Sequence, residues 1–288
     1  MEHYGITVPA SSARKITLKH GERVGDYQQA SQCSDIPDRP GVPTIIAETD
    51  GTMVPIVTTE GPKKDRRKNR KLQWKEARLS LAHPLGSLDV KYAATMKDPE
   101  ETGRQLADCT IRAGAGNQTK FHCVGDGASW IANQVEDKFG TQGSYLIDFF
   151  HLCEYFAAAA KGIGDGSPEW LATQKQRMKN NEAWKVLRAL ELFIEDPEVP
   201  DDQAPVKACY RYINNRPDQF NYKDAIKEGL PIGSGEVESG HRHVIQARLK
   251  RPGAWWDEEN AQYMLNLRTL RTEEEQWELY WYLQAIAA

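Results

Sequence analysis

The order in which hydrophobic periodicity changes along this chain limits its fold more than any other feature of the sequence. Two β-rich runs, residues 43–50 (PTIIAETD) and 51–58 (GTMVPIVT), meet at an Asp-Gly pair, a dipeptide that favours a hairpin turn. Residues 73–82 (QWKEARLSLA) alternate polar with apolar, the pattern of a half-buried third strand, and 91–96 read as a weaker fourth. The pattern then switches. Residues 98–112 read as a helix, 120–124 as a short strand ending in Gly125-Asp126-Gly127, 128–139 as a helix, and 144–149 as a strand running into a helix from about His151. A meander of strands followed by helix–strand crossover units predicts an α/β chain with a mixed sheet, the order an RNase H-like sheet requires.

From about 156 to 229 helical periodicity dominates, which predicts an all-α insertion; residues 230–288 return as helices that complete the core begun by 44–155. Residues 1–43 are polar and turn-rich, and are expected to be a linker or the remnant of an upstream region. The 288 residues, 40% hydrophobic with eight Trp, can support a sizeable core and exclude a disordered chain. A net charge of −4 carries no bulk nucleic-acid signature, so any such partner must be recognised by local clusters. Cys33, Cys109, Cys123, Cys153 and Cys209 are scattered and form no C-x-x-C, which points to free thiols in a reducing compartment. No apolar run is long enough for a membrane helix and the N-terminus is polar, so a cytoplasmic protein without membrane contact is expected.

Three acids stand out. Asp50 closes a strand that reads as buried, and Asp126 closes another between glycines, where a carboxylate can enter a cleft with little steric cover. Mg2+ takes oxygen ligands and usually only one or two carboxylates, and two metals roughly 4 Å apart can stabilise both oxygens of an in-line displacement. The ordinary alternative is that both are commonplace Asp-Gly turns. The third acid comes from 233–250 (GSGEVESGHRHVIQARLK), a flexible lead-in that becomes a helix. At roughly 100° per residue, Val237, His241, Val244, Ile245, Arg248 and Leu249 share a face; Glu238 falls at its edge, while Glu236 falls opposite and should be solvated. An acid aimed at the core needs a partner, and a metal shared with Asp50 and Asp126 would supply it. The alternative is a first-turn acid complementing the helix dipole, a role that suits Glu236 better than Glu238.

With TDGTMVPI around Asp50, CVGDGASWI around Asp126, LIDFFHLCEY after the next strand and GSGEVESGHRHVIQARLKRPGAWW around Glu238, the chain resembles a DDE transposase of the insertion-sequence type. The likeness is greatest to the ISKra-type family and more distant to the Mutator-like group, and it covers most of 44–282. The resemblance implies an RNase H-like fold with a helical insertion before the last catalytic acid. It implies Asp50, Asp126 and Glu238 as catalytic residues and ligands of a two-metal Mg2+ or Mn2+ site. It also implies cleavage of DNA at the ends of a mobile element and attack of the freed 3′-hydroxyl on target DNA, which is DNA recombination by transposition. Such transposases carry an N-terminal DNA-binding region, and with only some forty residues ahead of the first strand this chain is expected to be truncated there. An inactive remnant that only binds DNA, or a nuclease that cuts without joining, remain as alternative readings.

Asp148 and His151 follow the second acid on a strand end and a helix start, placing them either behind the metal site or in a helix cap. Arg242, His243, Arg248, Lys250 and Arg251 beside Trp255 and Trp256 combine positive charge with aromatic surface, which suits a DNA backbone with a stacked base; core packing is the alternative for the Trp pair. The basic run 63–71 reads either as a DNA-facing hairpin or as a solvated loop. The aromatic final helix is expected in the core or in a homodimer contact.

Overall fold

The computed structural model describes residues 2–3, 6–59, 69–163 and 168–286, with backbone alone for 2, 3, 6 and 7. Two compact units divide the chain: Met1–Thr119 with Gly235–Ala288, and Lys120–Ser234. In chain order the first unit begins with β1 (Glu2–His3), β2 (Ile6–Thr7), α1 (Ala10–Ser31), β3 (Thr44–Thr59), β4 (Arg70–Pro84), β5 (Lys91–Thr95) and α2 (Pro99–Arg112). The second contributes β6 (Lys120–Gly125), α3 (Ser129–Phe139), β7 (Gly143–Ile147), α4 (Phe149–Gly162), α5 (Pro168–Lys179), α6 (Ala183–Glu191), α7 (Pro205–Asn214) and α8 (Tyr222–Lys227). The first unit resumes with α9 (Gly235–Gly240), a π-helical segment His241–Gln246, α10 (Ala247–Leu249), α11 (Glu258–Leu270) and α12 (Glu274–Ile286). The chain is thus mixed α/β, with antiparallel strands in one unit and parallel strands in the other.

In the first unit β3 pairs with β4 from Ile45↔Pro84 to Thr59↔Arg70, and β4 pairs with β5. This corrects the hairpin expected at Asp50-Gly51. Both residues lie inside one uninterrupted strand, opposite Leu79 and Arg78. A turn preference of one dipeptide is outweighed by continuous cross-strand pairing and by burial on both faces of the strand. On one face Val54 and Ile56 meet Ala77, Leu79 and Leu81 of β4 and Val237, Val244, Ile245 and Leu249 of the helices. On the other, Thr49 meets Ser80, whose hydroxyl donates to the Thr102 carbonyl of α2. α2 starts where the sequence signals it, with the Asp98 side chain accepting from Glu101 N and Pro99 in the first turn.

Residues 1–43 are more than a linker. α1 docks on α11, where Gly21 lies so close that a Cβ there would stand 2.6 Å from the Tyr263 carbonyl oxygen. Val24 joins Leu270 and Tyr280 in a small core, and Asn266 Nδ2 donates to Gly21 O. Sequence periodicity from 257 to 282 runs through two helices, α11 and α12, separated at Arg271–Glu273.

In the second unit β6 and β7 run parallel, as a crossover through α3 requires. The helices expected as a separate insertion share one core with β7 and α4. Leu146, Ile147, Leu152 and Phe156 pack with Met178, Val186, Leu190, Val206 and Tyr212. The unit boundary therefore falls at Lys120 rather than near 156, because the amphipathic faces of α5–α8 are buried against α4 and β7. Among the described residues no helix is long and apolar enough to cross a membrane.

Candidate functional site

In the first unit the site is built where α9 and the π segment meet β3. Asp50 points to the helix side of the strand with 35% of its side chain exposed, and its Oδ1 accepts from Gly51 N at 2.7 Å. Two residues earlier on the same face, Glu48 is 1% exposed, and its Oε2 accepts from Val237 N at 2.7 Å. This carboxylate ties the first turn of α9 to the strand, where the unpaired helix N–H groups favour negative charge. Gly240 lets the helix settle on β4, since a Cβ there would lie 2.7 Å from Leu79 Cδ2. The next residue, His241, is buried, with Nε2 3.3 Å from Asp50 Oδ2.

Helical phasing placed Glu236 and Glu238 differently from what is found. Glu238 is exposed and does not aim into the core. Glu236, expected on the solvated side, is half exposed and reaches back to β4, where an oxygen lies 2.7 Å from Nε2 of buried His83. The two acids flank Val237, the residue that actually packs inward, and in a first turn beginning at Gly235 either can swing aside. Burial, and then the charges of Glu236 and Glu48, push the Tyr92 hydroxyl above its ordinary pKa, which marks the same corner as acidic. Arg248, phased onto the apolar face, is exposed with its guanidinium 5.4 Å from the Trp256 ring centre, because the π segment shifts the later residues around the helix.

In the second unit Asp126 leaves β6 on a loop gripped by three side chains. Its Oδ1 accepts from Ala128 N at 2.8 Å, starting α3. Tyr212 of α7 donates its hydroxyl to Asp126 O at 2.7 Å, Arg216 Nε donates to Gly127 O at 2.7 Å, and Gly127 N donates to the Tyr145 hydroxyl at 3.0 Å. Burial pushes the Tyr212 and Tyr145 hydroxyls well above the usual range, so both keep their protons. Gly127 takes φ +86°, a conformation that favours glycine. Asp148 is 5% exposed and caps α4: Oδ1 accepts from Phe150 N at 2.6 Å and His151 N at 3.1 Å, and Oδ2 accepts from Ser234 N at 2.7 Å and Ser234 Oγ at 2.5 Å. Both oxygens are thus engaged by protein donors. His151 is partly exposed, 3.5 Å from Glu154 and edge-on to Tyr155 and Tyr212.

Arg242, Arg248, Lys250 and Arg251 are exposed on the first unit, and Lys250 Nζ donates to Thr52 Oγ1 at 2.7 Å. The two tryptophans part company. Trp255 is 54% exposed, whereas Trp256 packs against the core and accepts at its carbonyl from Val57 N at 2.7 Å. Residues 63–68 of the expected basic hairpin lie outside the described residues; Arg70 and Lys71 are exposed on β4.

Among the described residues no three His, Cys, Asp or Glu side chains gather into one metal-binding group. The sequence reading missed Glu48, His83, His241, Tyr145, Tyr212 and Arg216. Glu48 carried a signal, an acid in an apolar strand at the two-residue spacing that shares a face with Asp50. Tyr212 and Arg216 carried none, for nothing local ties α7 to the Asp126 loop.

A family model described as "Uncharacterised protein family (UPF0236)" matches residues 89–281, a stretch that contains Asp126 and Glu238. No curated protein matches the sequence. Among solved structures, "Crystal structure of NurA" matches at 12% identity and TM-score 0.15, over 94% of this chain and 65% of that one. "Crystal structure of NurA with manganese" matches at 14% identity and TM-score 0.14, over 92% and 64%. The chain spans less than two thirds of those NurA chains, and scores of this size assign no fold.

Proposed function

The chain belongs to the UPF0236 family, and from there we propose that it is the catalytic domain of an insertion-sequence DDE transposase, an RNase H-like enzyme that cuts and joins DNA with Mg2+ or Mn2+. The observation that carries this reading is the return of the helix bearing Glu238 onto the strand bearing Asp50. Glu48 accepts from Val237 N and His241 lies beside the Asp50 carboxylate, so two acids far apart in sequence sit on elements packed together. Asp126, on its clamped loop at the end of β6, is the third acid of the reading.

The donor set fits a hard cation. Asp50 is partly open to solvent and Glu238 is exposed, so both can offer carboxylate oxygens. Mg2+ keeps most of its waters and usually takes only one or two carboxylates from the protein. Such an ion, when bound, would stabilise charge on the phosphate and on the attacking oxygen. The chain's own residues set the stage for it: the Asp126 loop is held by Tyr145, Tyr212 and Arg216, and Glu236 reaches back to His83 while Glu238 is exposed. Exposed Arg242, Arg248, Lys250 and Arg251 beside Trp255 would meet the DNA backbone and a stacked base. The reading also carries transposon-end and target DNA as partners, a homodimer, and a cytoplasmic setting.

The test is a cleavage and strand-transfer assay with pre-nicked DNA ends and Mg2+ or Mn2+, comparing wild type with Asp126→Asn. Metal-dependent joining that falls at least about 100-fold in the variant is expected, since the substitution removes an anionic ligand. Equal products from both proteins would refute a metal nuclease of any kind, and cleavage without joining would make the enzyme a nuclease.

A further inference from the structure

His241 has a role to explain. Its side chain is 4% exposed, and neither Nδ1 nor Nε2 has a hydrogen-bond partner among the described residues. Imidazole nitrogens are seldom buried unpaired, because each loses its hydrogen bonds to water without replacement. On its own helical segment Val244 and Ile245 enter a hydrophobic core with Val237 and Leu79. The Asp50 carboxylate lies beside the ring, its Oδ2 3.3 Å from Nε2 but out of line for a hydrogen bond. Asp50 Oδ1 is already held by Gly51 N.

The backbone is specialised at the same place. His241 opens the π-helical segment, and π turns inside α-helices recur at functional sites. Gly240 before it lets the helix approach Leu79 of β4 and Tyr92 closely, since a Cβ there would stand 2.7 and 2.9 Å from their side chains. The buried Nε2 is closed to solvent, so an ion on the exposed side of Asp50 would not reach it.

We infer that His241 is the positioning residue of Asp50: its Nε2–H donates to Oδ2 from the buried side and leaves the outward lone pairs of the carboxylate for a divalent cation. The inference rests on the reading of Asp50 as a metal ligand. Catalytic hydrogen bonds that are misaligned in a free enzyme commonly tighten when the site is loaded, and hydrogen bonds behind a ligand orient it and raise its basicity.

The experiment uses the full chain with His241→Leu, which removes the donor, and His241→Gln, whose amide can replace Nε2–H. Mn2+ binding is measured without DNA from the electron paramagnetic resonance signal of the free ion. His241→Leu is expected to weaken binding about 10–100-fold, with His241→Gln recovering most of the loss. Wild-type binding by His241→Leu would overturn the inference, as would nitrogen coupling on bound Mn2+ that disappears in His241→Gln, since His241 would then be a ligand. A metal-free readout covers a leucine variant that fails to fold. The imidazole nitrogen spectrum of the wild type should show the Nε2–H tautomer, shifting in Asp50→Asn; an Nδ1–H tautomer overturns the inference. If the wild type binds no Mn2+ while the tautomer and its response to Asp50→Asn are as expected, the metal reading of Asp50 fails and the His241–Asp50 contact is supported.

Discussion

Gly127→Ala tests the clamp on the Asp126 loop most directly. Gly127 sits at φ +86°, and forcing alanine into left-handed backbone costs about 1–2 kcal/mol. The added Cβ would stand 2.6 Å from the Tyr212 hydroxyl oxygen, 3.1 Å from its Cζ and 3.2 Å from Arg216 Nε. Those atoms cannot simply swing away, because Tyr212 is 5% exposed and stacks on Tyr155 at 4.0 Å, and Arg216 is tied to Gly127 O and Tyr212 O. Overpacking of this kind costs about 1–3 kcal/mol, so the total should be about 2–5 kcal/mol. Urea unfolding followed by tryptophan fluorescence reads it, with Trp130 and Trp170 in the same unit. Tyr212→Phe supplies the cross-check. Alone it should cost about 1 kcal/mol, for it deprives the Asp126 carbonyl of its donor. Combined with Gly127→Ala it removes the closest clashing atom, so the double variant should be about 1 kcal/mol more stable than additivity predicts. A loss below about 0.5 kcal/mol for Gly127→Ala, or strict additivity, would refute the clamp as described.

Two further outcomes follow from burial. Burial pushes the Cys109 and Cys209 thiols up to about 12 and raises Cys123 as well, while Cys33 is exposed; alkylation of the native protein near pH 8, read by mass spectrometry, should therefore label Cys33 first and leave those three until unfolding. Early labelling of Cys123 would contradict its position inside β6. Burial also holds His122 below the ordinary 6.5 although its ring nitrogen lies 2.8 Å from the Pro231 carbonyl, so the native ring stays neutral where the unfolded one gains a proton. Stability should thus fall as pH drops through about 6.5, and His122→Gln should flatten that dependence in unfolding midpoints measured between pH 7.5 and 5.5. An unchanged pH slope in the variant would remove His122 as the cause.

Much of the element order was legible because it rests on local rules. Asp98 before Pro99 signalled α2, Asp148 capped α4 as such a residue can, and the strand leading to Gly125 stood out by its apolar run. Asp50-Gly51 misled for the same reason. The dipeptide favours a turn locally, but β4 supplies a pairing partner for every residue on either side of it, and no window of sequence contains both strands in register. α1 was missed because its polar surface hides a small contact, Gly21 and Val24, whose partners lie on α11 and α12 at the other end of the chain.

The candidate site divides along the same line. The sequence by itself determined which carboxylates stand as candidates, Asp50, Asp126 and Glu238, and the helix start that carries Glu238, while Asp50 turned out to lie inside a strand and not at its end. What only the tertiary structure decided is which groups those carboxylates meet. Helical phasing could not tell that Glu236 is taken by His83 or that Glu48 is buried under Val237, because side chains at a helix start can turn either way until a neighbour fixes them. Nor could it tell that His241 lies against Asp50, or that Tyr212 and Arg216 hold the Asp126 loop. Periodicity records how each segment buries its own apolar face; the partners of a polar group are chosen by residues far away in the chain, through contacts that exist only once the chain has folded.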